Sequence, residues 1–163
     1  MVLVRPLEDA DWVQFLPILR GVVAAGETYA YPEDLTSEQA RDLWVETPPG
    51  ATVVAVADDG ALLGSAKSGP NRPSRGSHVA TASFMVAPEA RGLGVGRALA
   101  EWVIAWAREQ GYAAIQFNAV VETNTAAVAL WRDLGFEVIG TVPRAFDSVS
   151  HGLVRLHVMH RYL

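Results

Sequence analysis

Hydrophobic and polar positions along the chain change period several times, and each change marks an element. "VLVRPL" reads as a short strand. From Asp11 the spacing turns helical, with Trp12, Phe15/Leu16, Leu19 and Val22/Val23 on one face until Gly26 ends the run. "GETYAYPEDL" is a loop rich in Tyr, Glu and Pro. Thr36, followed three residues later by Gln39, is a capping-box signature for a second helix. Two apolar runs joined around Asp59-Gly60 predict a hairpin, and "NRPSRG" its polar continuation. "SHVATASFMV" resumes as a strand and halts at Pro88.

After a glycine-rich stretch, Val95, Ala98/Leu99, Trp102/Val103 and Trp106 line a helix face, with Gly111 at its C-terminal cap. In "AAIQFNAVV" the pleat sends Ile115 and Phe117 one way and Gln116 and Asn118 the other. Asn124 caps a further helix with Ala127, Leu130/Trp131 and Leu134 inward, closed by Gly135. "FEVIGTV" and "LVRLHVMHRYL" form a last strand pair across a long "PRAFDSVSHG" connection. The predicted order is βααβββαβαββ, a single mixed α/β domain over residues 1–163.

Composition narrows the chemistry. Half of the 163 residues are hydrophobic, which is enough for one globular core. Without cysteine there is no disulfide, thiolate nucleophile or zinc–thiolate site. A formal charge of −5 argues against general attraction to nucleic acid or anionic membranes. No apolar run approaches the roughly 20 residues of a membrane span, and the N-terminal residues lack a signal-peptide pattern. The expectation is a cytoplasmic protein. His157 and His160, three apart on a strand, point to opposite faces and predict no metal site.

The segment "PEARGLGVGRALAEW" carries the strongest chemical signal. A strand, a glycine turn and a helix start leave first-turn amides unpaired and add the positive end of the helix dipole. Gly92, Gly94 and Gly96 remove the β-carbons that would hold an anion away, and Arg91 and Arg97 flank the turn. A nucleotide P-loop needs Gly-Lys-Ser/Thr, but Gly96 is followed by Arg97-Ala98. A dinucleotide fingerprint needs a glycine where Arg97 or Leu99 stands. The pattern Arg-x-x-Gly-x-Gly, met by Arg91, Gly94 and Gly96, remains beside a purely structural glycine connection.

Together with "NTAAVALWRDLGF" (residues 124–136), this loop makes the whole chain resemble the GCN5-related N-acetyltransferase (GNAT) superfamily. The resemblance implies a mixed sheet of six to seven strands, splayed at the acetyl-CoA site, with helices on both faces. It implies that Arg91, Gly92, Leu93, Gly94, Val95, Gly96 and Arg97 bind the pyrophosphate of acetyl-CoA. The backbone of Phe84, Met85 and Val86 would pair with pantetheine, the turn at Ala87-Pro88 splaying their strand from that of Asn118. Asn124 would lie beside pantetheine. Trp131 stands where the family often has a tyrosine acid, which makes it a wall or thioester contact. Tyr29, Tyr31 or solvent is left to supply the proton.

As bases, the resemblance brings forward Glu27, in the acceptor-lining loop, with His78 and Glu122 as further titratable candidates. The chain looks most like the branch that acetylates proline analogues such as azetidine-2-carboxylate, in which Asn118 would face the acceptor. Arg144 and Phe146, with Tyr29 and Tyr31, would then frame a small aromatic pocket. The expected activity is direct acetyl transfer to a small amine. Acetylation of a protein or peptide amine, encouraged by Glu33 and Asp34, and a non-catalytic acyl-CoA sensor are the alternatives. A homodimer through the last strands is compatible with the pattern.

Overall fold

The computed structural model describes residues 2–163. Its elements are β1 (Leu3–Pro6), α1 (Trp12–Ala25), α2 (Ser37–Trp44), β2 (Ala51–Val56), β3 (Leu62–Pro70) and β4 (Val79–Val86). Then follow α3 (Val95–Glu109), β5 (Ala114–Val121), α4 (Thr125–Asp133), β6 (Glu137–Ser148) and β7 (Gly152–Tyr162). The order is the one the periodicity predicts. The strands form one seven-stranded sheet, β1-β2-β3-β4-β5-β7-β6.

Alternation along the central strands divides the core between two faces. Val54, Val56 and Met85 pack against Trp12, Phe15, Leu19, Val23 and Trp44 of α1 and α2. Val53, Ala55, Ala66, Ala80, Ile115 and Phe117 pack against Leu99, Val103, Val128 and Trp131 of α3 and α4. The Thr36–Gln39 capping box is formed in both directions at the start of α2. Gly26, Gly111 and Gly135, each expected to close a helix, take left-handed φ of 65°, 80° and 83°. Among the described residues, no helix is long and apolar enough to cross a membrane.

One interruption dominates the sheet. All its neighbouring strands are antiparallel except β4 and β5, which run parallel and pair only at Val79–Ala114 and Ala80–Ile115. Beyond those two pairs the strands part, leaving a β1–β4 half and a β5–β7–β6 half. The parting begins well before Ala87-Pro88, so the expected role of that turn as the cause is corrected. The ladder between β5 and β7 shifts register between Phe117 and Val120, a bulge that bends β5 away.

The last strand pair also differs from expectation. β6 runs through the "PRAFDS" segment to Ser148, which leaves only residues 149–151 as the connection. Pro143 is tolerated because β6 is an edge strand, where a missing N–H interrupts nothing. The ladder slips between Val142 and Phe146, and Arg144 takes φ 51° within that slip.

Candidate functional site

At the end of β4 the chain makes a short 3-10 turn, Pro88–Ala90, and then the glycine turn into α3. Gly92 and Gly94 both take φ 79°, a region in which side-chain-bearing residues are strained. A β-carbon built at either would meet nothing within 4 Å, so the concave side of the turn is open. The first helical bond is Ala98 N–H to Gly94 C=O at 3.0 Å. The N–H groups of Val95, Gly96 and Arg97 precede it and have no partner in the helix. No side chain caps them, since the capping position is Gly94 itself. Bare amides at the positive end of a 15-residue helix have the chemistry of an anion cradle, and they fit a diphosphate.

The flanking groups are unequal. Arg91, Leu93 and the glycines beside them are exposed. The Arg97 side chain is instead ion-paired with Asp133 on α4, and with Glu101 at 3.7 Å. Its expected charge on the turn is therefore directed toward α4, while its backbone N–H stays in the cradle. Val95 is buried and locks the turn to the core.

The gap between β4 and β5 lies directly upstream. Phe84 N–H donates to the Tyr29 hydroxyl at 2.9 Å, and that hydroxyl donates to Phe84 C=O at 2.7 Å. Both main-chain groups of Phe84 thus face the gap. By strand alternation those of Ala82 and Val86 face it too, whereas those of Met85 join the ladder to Ser65 on β3. Met85 is corrected on this ground. Its side chain is also fully buried, on the α1/α2 face.

Tyr29 is corrected as a proton source. Burial drives its hydroxyl far above the ordinary tyrosine value, and its single proton is already placed on Phe84. Trp131 is buried under the gap with ring centroids 4.8 Å from both Phe84 and Phe117, which makes it an aromatic floor. The Asn124 side-chain Oδ1 accepts from Ala127 N–H at 3.4 Å, so this residue caps α4.

On the α1/α2 face, where the strands part, lies a cavity of about 210 Å³. Tyr31, Glu46, Lys67, Ser83 and Asn118 are among its walls. Lys67 Nζ sits 3.3 Å from Glu46 Oε1 and donates to Leu43 C=O at 2.6 Å. Burial, and next the Glu46 charge, raise the Tyr31 hydroxyl above its ordinary value. Asn118 does face this cleft; its amide donates to Asn71 Oδ1 at 2.6 Å and accepts from Gln116 Nε2 at 2.9 Å. Sequence reasoning missed Glu46 and Lys67. Glu46 follows a helix and Lys67 interrupts an apolar strand, so each reads as solvent-facing until α2 folds over β3.

Three expected groups stand elsewhere. Glu27 is corrected as a base: both its oxygens accept from Ser148 and Ser150, and those bonds lower its pKa. A carboxylate held ionised by three donors is a poor proton acceptor. Glu122 accepts from the Arg155 backbone and guanidinium on β7. His78 is exposed at the closed end of the split, where its C=O accepts from Ala113. The expected aromatic frame also separates: Tyr29 and Tyr31 lie 5.4 Å apart, but Phe146 packs with Val121 and Val154. A larger and more open concavity, about 640 Å³, lines the far end of β5, β6 and β7, remote from the glycine turn. Among the described residues no cluster suits a metal ion.

Comparison with known proteins bears on this arrangement. The model of the acetyltransferase (GNAT) family matches residues 13–136. A GCN5-related N-acetyltransferase from Kribbella flavida is similar at 62% identity and TM-score 0.97, over 99% of this chain and 98% of that one. A phosphinothricin acetyltransferase from Sinorhizobium meliloti, solved in complex with AcCoA, is 25% identical with TM-score 0.88, over 99% and 88% of the two chains. The L-methionine sulfoximine/L-methionine sulfone acetyltransferase of Pseudomonas aeruginosa is 34% identical over 138 residues, 80% of this chain and 78% of that protein.

Proposed function

The chain belongs to the acetyltransferase (GNAT) family, with acetyl-CoA as its acetyl donor, and from that premise we propose that it acetylates the amine of a compact, amino-acid-like molecule. The observation that carries this reading is the cavity at the parting of β4 and β5. At about 210 Å³ it is smaller than the roughly 300–1,000 Å³ that drug-sized ligands occupy. It also holds one anion and one cation, Glu46 and Lys67, the complement of a molecule carrying both ammonium and carboxylate. The two similar acetyltransferases named for phosphinothricin and for methionine sulfoximine and sulfone agree with an acceptor of that size.

Acetyl-CoA supplies the activated acyl group; the chain supplies orientation and proton handling. In this reading the amides of Gly94 to Arg97 take the diphosphate, with Arg91 beside them. Main-chain groups of Val86 offer pairing to an extended arm in the gap, an added strand in all but covalent connection, whereas those of Phe84, expected to share in it, are held by the Tyr29 hydroxyl. Trp131 forms the floor and excludes water. An acceptor ammonium must lose a proton before its nitrogen can attack, and Glu46 is the carboxylate that the cleft offers for it. Tyr31 and Asn118 orient the acceptor.

The test is product mass measured over an amine panel. The panel spans α-amino acids, cyclic imino acids of the azetidine-2-carboxylate type, polyamines and peptides with free N-termini. Turnover concentrated on amino acids or imino acids is the expected result. Turnover confined to peptides overturns the small-acceptor reading, and cofactor binding without turnover on any amine overturns Glu46 as well.

A further inference from the structure

The two halves of the sheet share two residue pairs at one end and diverge toward the other. The diverging end of the β5–β7–β6 half is held by little of its own: Val121, Phe146 and Val154 form a small apolar cluster separate from both main cores. The β6–β7 turn, residues 149–151, projects from that end, because β7 begins beyond the last residue of β5, Val121, which pairs with Leu156.

There the turn meets the end of α1, which packs on β3 and β4 of the other half. Glu27 Oε1 accepts from Ser150 N–H at 3.0 Å and Ser150 Oγ at 2.5 Å, and Oε2 from Ser148 Oγ at 2.5 Å. Beside it Gly26 C=O accepts from Val149 N–H at 3.0 Å. A β-carbon at Gly26 would lie 2.3 Å from the Val149 γ-methyl, so the fit also requires this glycine. Glu27 directly precedes the segment carrying Tyr29, bonded to the Phe84 backbone, and Tyr31, on the acceptor cavity.

We infer that Glu27 is a positioning residue: its clasp on Ser148 and Ser150 ties the two halves of the split sheet across their open end and fixes the width of the acceptor cleft. The clasp itself stands on geometry alone, and its effect on the acceptor rests on the function proposed above. Hydrogen bonds to a carboxylate are among the stronger single interactions, and three of them here bridge parts that share few other contacts.

Amide exchange of the full chain without ligands, followed at Val149 and Ser150, tests the clasp. Glu27→Ala should speed exchange there by about tenfold or more, the loss expected for bonds to a charged group, while β3 amides keep their rates. The double variant Ser148→Ala/Ser150→Ala should do the same to a lesser degree, because Ser150 N–H remains. In kinetics both should raise the acceptor KM by about tenfold with kcat and acetyl-CoA affinity held. Glu27→Gln should recover much of the exchange protection, since an amide oxygen still accepts from Ser150. Unchanged exchange in Glu27→Ala overturns the clasp, whatever the acceptor. Loss of kcat in Glu27→Gln equal to that in Glu27→Ala, with the serine variant fully active, overturns positioning in favour of direct proton transfer.

Discussion

Gly94 and Gly96 sit two residues apart in the same turn yet are glycine for different reasons. Gly94 lies at φ 79°, where a β-carbon has room but the backbone is strained. Gly96 is already helical, and a β-carbon there would touch Leu130 at an ordinary 3.5 Å. Gly94→Glu should therefore lower stability by only about 1–2 kcal/mol in urea unfolding. It should nonetheless abolish acetyl-CoA binding in calorimetry, by placing an anion at the cradle. Gly96→Ala should be neutral or stabilising by up to about 1 kcal/mol, as an alanine replacing a helical glycine. Binding retained by Gly94→Glu would remove the anion cradle from the mechanism. At this scale the open glycine turn and the side of its strand that Asn118 faces were legible, whereas Glu27 and Tyr29, read as a base and a proton source, are engaged in bonds that no local pattern announces. Their partners, Ser148 and Phe84, lie 121 and 55 residues away.

Elements were read more completely than side-chain roles because their signals are local. The capping box at Thr36 and Gln39 is a contact between neighbours, and it forms as expected. Thr36→Ala should cost about 1 kcal/mol of stability, measured by urea titration, with the fraying confined to α2. Since α2 ends at Trp44, just before Glu46, its loosening should also weaken acceptor use more than cofactor affinity. β6 was read too short for an equally physical reason. Pro143 is a strong strand breaker in a central strand, and nothing local reveals that this strand is an edge. The same ignorance of neighbours put Arg144 and Phe146 in a loop, when both lie on β6 and Phe146 is buried against Val121 of β5 and Val154 of β7.

Over the whole molecule, carboxylates tie elements together, Asp11 to the nearby β1 strand, Glu27 and Glu122 to segments far along the chain. Asp11 is lowered from 3.8 chiefly by its hydrogen bonds with Arg5 of β1; Glu27 is lowered from 4.5 by Ser148 and Ser150, and Glu122 from 4.5 by Arg155. Each ionised form is favoured by folding. Their stabilisation is therefore fully present above those ordinary values and is lost as pH falls through the lowered, folded ones. Urea midpoints should be level near neutrality and drop as the medium is acidified below about pH 4, and Asp11→Asn should flatten part of that decline. A midpoint insensitive to acid in the parent chain would show that these links do not hold the fold. The Asp11–Arg5 pair is the best-shielded of the three, with Asp11 buried, so its variant should have the largest share.

Whatever is written in short-range spacing could be read before any fold was known. Periodicity set the order of strands and helices, glycines and caps set where they end, and the glycine turn with the Asn-headed helix set the family and its acetyl donor. Where β4 and β5 part, which main-chain groups face the gap, and which carboxylate stands in the cleft and which is held by serines emerge only once the strands and helices are assembled. Those outcomes depend on pairing between residues far apart in the chain. A local pattern fixes which side of its own strand a residue faces, but not what stands opposite when the sheet assembles.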